Sequence, residues 1–179
     1  MIYKLETLES ICEESRKFAH TYYAKYKRLE PMVVGYSTDN KKRVIVPYPT
    51  TGSDFECMQT QLVLRYNDVD KYAVIMESWM KMNLSEDEFK KYSHGDLAKD
   101  SDRVSAVTII AVNSQGSKLE AYKIGEDHSL THMELPEGVS FGGLAATLLE
   151  GTTLLTKEQK AQVKPLMDSP LFGVEEIRL

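Results

Sequence analysis

The stretch Lys71-Tyr-Ala-Val-Ile-Met-Glu-Ser-Trp-Met-Lys-Met82 is apolar at every position from Tyr72 to Met76. Alternate side chains of a strand point to opposite faces, so Tyr72, Val74 and Met76 share one face while Ala73 and Ile75 share the other. A strand that is apolar on both faces has to be covered on both, which predicts a central strand. Beyond Met76 the pattern changes: Glu77, Trp79 and Lys81 continue one face as acid, aromatic and base, while Ser78, Met80 and Met82 continue the other. Glu77, Trp79 and Lys81 are therefore candidate ligand-binding residues at a polar strand end.

Outward from this strand, the polar segment Asn83–Asp102 predicts an insertion that could form a flap over the Glu77–Trp79 end. Within it, Ser85 and Glu88 have capping-box spacing for a short helix from Glu86 to about Tyr92, broken at His94-Gly95. Arg103–Val112 is again apolar on both faces, with Val104, Ala106, Ile110 and Val112 opposed to Val107, Ile109 and Ala111, and should pair with the central strand. Turns at Asn113–Ser117 and Gly125–His128 then lead to strands Lys118–Ile124 and Ser129–Leu135, giving a meander that Pro136 and Gly138 end. Leu144–Glu150 reads as a short apolar helix. Thr156 and Gln159 cap a last helix interrupted by Pro165, and the tail from Ser169 reads as an extension.

Upstream, Met32–Ser37 and Arg43–Tyr48 form a hairpin through Asp39-Asn40, with Pro47 and Pro49 ending the second strand. Ser53 caps a helix on which Phe55, Met58, Leu62 and Tyr66 recur at helical spacing and are expected to face the core, with Asn67-Asp68 stopping it. The chain begins with a long helix, roughly Leu5 to Leu29, ended by Pro31. Its apolar rows are regular: Leu5, Cys12, Ala19 and Tyr26 lie seven apart, and Leu8, Ser15, Tyr22 and Leu29 form the second row. The ordinary reading is a stripe packed along the sheet. The sharper reading is a self-association seam, with Tyr22, Tyr23 and Tyr26 as interface residues and small Ser15 and Ala19 permitting close approach.

The order of elements predicts the α+β class: one domain over residues 1–179, a mixed, largely antiparallel sheet of about five to six strands, and helices mainly on one face. The net charge is −5; residues 1–50 hold nine Lys/Arg against six Asp/Glu, which leaves the remainder at −8. That balance argues against bulk nucleic-acid binding, although Lys25, Lys27 and Arg28 interleaved with tyrosines could hold phosphates. No apolar run is long enough to span a bilayer and the first residues carry acids rather than an apolar stretch, so a cytoplasmic protein with no membrane association is expected. Cys12 and Cys57 read as reduced, small apolar residues.

Candidate chemistry is sparse. His128, His132 and Glu134 would share a strand face, but strand neighbours two apart are separated by about 7 Å, and no metal or other cofactor is assigned. Phe141-Gly142-Gly143 lacks the companions of a phosphate loop. No nucleophile elbow, zinc motif or kinase signature is present. Around Ala73-Val-Ile-Met-Glu-Ser-Trp-Met80 and Val104–Val112 the chain resembles small uncharacterised α+β proteins of bacteria and their phages. The resemblance implies an intracellular or phage-encoded origin and no catalytic residue. The sequence reading is a non-enzymatic intracellular binding protein acting through self-association or a protein partner, so a homo-oligomer or a complex is expected. The alternative is a small-molecule or nucleotide-directed enzyme or sequestering protein that uses the Glu77–Trp79 strand end.

Overall fold

A computed structural model of the chain describes residues 5–81, 85–91, 96–136, 143–168 and 173–176. Its elements run α1 (Leu8–Tyr26), β1 (Met32–Ser37), β2 (Lys42–Pro47), α2 (Asp54–Tyr66), β3 (Val69–Met80), α3 (Glu86–Phe89) and α4 (Asp96–Lys99). Then follow β4 (Val104–Asn113), β5 (Gly116–Ile124), β6 (Leu130–Met133), α5 (Leu144–Thr147), α6 (Lys157–Met167) and β7 (Gly173–Glu176). The α+β class and the long N-terminal helix are as the sequence predicts.

The seven strands form one sheet in the order β6-β5-β4-β3-β1-β2-β7. Every neighbouring pair is antiparallel. The helix between β2 and β3 does create a parallel relation, but β1 lies between those two strands, so the sheet is antiparallel rather than mixed. The seventh strand comes from the tail, where Gly173–Glu176 pairs with β2.

β3 lies between β1 and β4, with Val74 opposite both Val33 and Ile110. Its alternation is the one read from the sequence. Ala73 and Ile75 join Val34, Tyr36, Val107, Ile109 and Ala111 in a core beneath α1, while Tyr72 and Val74 join Val33, Val44, Ile110 and Val112 in a core beneath α2 and α5. The helices therefore divide between the two faces, because β1, β3 and β4 are apolar on both and neither can be left to water.

α1 buries Ile11, Cys12, Ser15, Ala19 and Tyr23. It begins at the Thr7 capping box and ends at Lys27, whose positive φ of 57° turns the chain out of the helix four residues before Pro31. Ser15 is buried in the stripe because its hydroxyl shares a 2.9 Å hydrogen bond with the equally buried Tyr36 phenol. Small size is thus not its main role.

The other cover differs from expectation. α2 buries Thr60, Val63 and Leu64, whereas Phe55 and Met58 are 63% and 58% exposed. Gly35 explains the choice of face: a Cβ there would lie 2.8 Å from Val69 Cγ1 and 2.9 Å from Leu64 Cδ2. The missing side chain on β1 makes the hollow that Leu64 fills. Polar fasteners then complete this cover. The buried Tyr72 hydroxyl donates to Ala145 O and accepts from Leu148 N–H, Gln61 Nε2 donates to Leu148 O, and Arg65 donates to Val69 O, Leu149 O and both oxygens of Thr152.

The Ser85–Glu88 capping box forms, but α3 ends at Phe89 and a further helix, α4, precedes Asp100. α5 ends at Thr147, with Leu148–Glu150 in turns. Pro165 lies within the last turn of α6, which runs on to Met167. Tyr92, His94, Gly95, Phe141, Gly142 and residues 169–172 lie outside the described residues.

Replacing Gly35 with alanine should push a Cβ into Val69, whose branched side chain is buried and cannot swing aside. Overpacking of this kind costs about 1–3 kcal/mol. Urea titration should show a lower midpoint with an unchanged slope.

Candidate functional site

β3 is twelve residues long, and its burial gives way to partial exposure from Met76 onward, where Glu77 and Trp79 lie, with Lys81 just past its end. Glu77 sits on the α1 face, where its Oε1 accepts the Leu29 backbone N–H at 2.6 Å. This N–H follows the end of α1, and the carboxylate ties the helix exit to the central strand. Trp79 is 49% exposed and Arg103 lies over its ring, 4.5 Å from the centroid. Lys81 Nζ contacts Asp100 Oδ2 at 2.7 Å.

The two ends of the insertion meet at this strand end, where Asp100 reaches Lys81, while Arg103, over Trp79, leads directly into β4. Beside it lies an open depression of about 280 Å³ lined by Lys91, Asp96, Lys99 and Asp100. It is open and every residue lining it is charged, unlike the mostly apolar and enclosed clefts that hold small molecules. Glu77 and Trp79 share one face of β3, and Lys81 follows just beyond its end. Each is engaged with another part of the chain.

The three tyrosines of α1 separate. Tyr23 is buried in the core and packs near His128 at 6.3 Å between ring centroids. Phe18, Tyr22 and Tyr26 instead form a ladder along the helix flank, with centroids 5.8 Å and 4.5 Å apart. Arg43 covers the Phe18 ring and Lys25 the Tyr26 ring. Of the basic trio at the helix end, Lys25 is thus on an aromatic ring and Arg28 lies 3.9 Å from Glu30.

His128 and His132 pack against different tyrosines, the latter edge-on to Tyr122 at 5.4 Å. Among the described residues no three His, Cys, Asp or Glu side chains converge on a point that would hold a metal.

Sequence reading missed a polar knot between α1 and β5. Glu120 is buried, accepts the Tyr122 phenol O–H at 2.6 Å, and has Arg16 Nε and Lys118 Nζ each 3.6 Å from its oxygens. Cys12 lies in the same knot. Burial first, and then the negative charge of Glu120, push its thiol up to about 12. Burial and the Arg16 charge hold the His20 imidazole, packed on the other side of Tyr122, below its usual range. The signal for this knot was faint: Lys118, Glu120 and Tyr122 alternate with Leu119 and Ala121 as on any amphipathic strand. An acidic thiol, a metal or a pocket is not what the knot provides; it fastens α1 to β5.

Comparison of the chain with protein-family models, with curated proteins and with solved structures finds no match in any of the three. No described helix is long and apolar enough to cross a membrane.

Two outcomes are expected. Glu77→Ala should leave the Leu29 N–H without its partner, lower stability by about 1–3 kcal/mol and speed amide exchange at Leu29, since a lost acceptor leaves a buried donor unsatisfied. In the native protein one thiol should react readily with a disulfide reagent at pH 8, namely the partly exposed Cys57, while Cys12 should react only on unfolding.

Proposed function

We propose that this chain is a non-enzymatic, cytoplasmic binding protein that holds a protein partner, or another copy of itself, on the outer face of α2. The observation that carries the reading is the exposure of Phe55 and Met58, one helical turn apart, on a helix whose opposite face is fully used in the core. Both sheet faces already have their covers, so these side chains are surplus to the fold. Contiguous apolar side chains on a surface helix are the kind of anchor that association buries. The long strand end offers less to a small molecule, since Glu77, Trp79 and Lys81 are committed to Leu29, Arg103 and Asp100.

A photo-crosslinking amino acid in place of the exposed Gln59 tests the proposal in cells that express the protein. It should give an adduct of defined mass, and Phe55→Glu with Met58→Glu should reduce its yield about tenfold or more while leaving the unfolding midpoint unchanged. Crosslinking that is indifferent to both substitutions would overturn the reading.

A further inference from the structure

β6 is the last strand of the sheet on its side, and its four residues, Leu130-Thr-His-Met133, carry no fixed charge and no proline. The strand at the opposite edge, β7, has Glu175 and Glu176 instead. Charges and prolines are two of the devices by which edge strands avoid pairing with other chains, and β6 carries neither; its shortness, a third, limits pairing without preventing it.

The register identifies the groups left open. Gly125 N–H donates to Ser129 O at 2.8 Å, and the strand pairs continue as Ile124↔Leu130, Lys123↔Thr131, Tyr122↔His132 and Ala121↔Met133. Hydrogen-bonded and non-bonded pairs alternate in an antiparallel ladder, so Thr131 and Met133 turn their backbone groups toward β5. Leu130 and His132 turn theirs outward, where no described residue meets them. Thr131 and His132 are also exposed at their side chains.

We propose that β6 pairs antiparallel with β6 of a second copy about a two-fold axis at Thr131, extending the sheet across the dimer. This register is self-complementary. It sets Thr131 opposite Thr131 and sets Leu130 opposite His132 of the second copy with their outward backbone groups bonded. Threonine pairs are favourable cross-strand neighbours. The register centred on His132 would instead set Leu130 against a carboxylate and two imidazoles against each other. Of the three residues His128, His132 and Glu134, only His132 lies in β6; His128 sits in the preceding turn at a φ of 63°. The α2 surface plays no part, so this inference and the docking reading fail separately.

Four residues make few bonds, and the dimer should be weak, with a dissociation constant of about 0.1–1 mM. Sedimentation equilibrium up to about 1 mM protein should show dimer for the native chain. Thr131→Lys and Thr131→Glu place like charges at the axis and should each weaken it about 100-fold. Because Thr131 is exposed, both should keep the native unfolding midpoint. An equimolar mixture of the two should dimerise again. A native chain monomeric throughout, variants that dimerise as the native chain does, or a mixture that stays monomeric would each overturn the proposal. Hydrogen exchange gives a readout that needs no variant. The Leu130 and His132 amides should slow as concentration rises, while those of Thr131 and Met133 are protected at every concentration; fast exchange at Leu130 and His132 in concentrated protein would overturn it as well.

Discussion

Three adjacent strands, β1, β3 and β4, are apolar on both faces, and the whole molecule follows from the need to keep both faces dry. Burying a large aliphatic side chain contributes about 1.5–3 kcal/mol, and each of these strands supplies several on each side. One cover is therefore insufficient. α1 closes one face; α2, with the segment from Leu144 to Thr152, closes the other.

Apolar burial is non-directional, and it does not by itself decide how a cover sits. Buried polar contacts do that here. On the α1 face these are the Ser15–Tyr36 pair and the Glu120 knot; on the α2 face they are the Tyr72 hydroxyl and the Gln61 and Arg65 side chains reaching backbone carbonyls. Each has partners in only one arrangement of helix on sheet. A slipped cover would leave a phenol, a carboxylate or a guanidinium buried without them, at a cost greater than any one contact contributes when made.

The same arrangement decides what remains at the surface. β3 runs on past its fully buried stretch, so Trp79 emerges beyond the core, where Arg103 covers its ring and Asp100 holds the neighbouring Lys81. α2 has apolar residues on two sides and can give only one to the sheet, which leaves Phe55 and Met58 outside. The meander ends in a short uncharged strand. The exposed apolar side chains of α2 and the open edge of β6 are thus what the covers leave over.

Sequence by itself determined the parts whose signals are local. Period-two alternation in Tyr72–Met76 and Arg103–Val112, the Asp39-Asn40 turn, and the caps at Ser53, Ser85 and Thr156 set the strands, the hairpin, the helix starts and the α+β class, because each depends on residues within a few positions of one another. The candidate residues Glu77, Trp79 and Lys81 were legible as a strand end for the same reason, but their partners were not. Leu29, Arg103 and Asp100 are distant in sequence, and only the folded chain brings them there. Tertiary structure also decided which stripe of α2 is inside. Phe55, Met58 and Leu62 form the more apolar row, yet the Gly35 hollow accepts Leu64, and Asn67 can be buried because its side chain donates to Val63 O at 2.9 Å. Hydropathy ranks the two faces of a helix, but the shape of the surface beneath chooses between them.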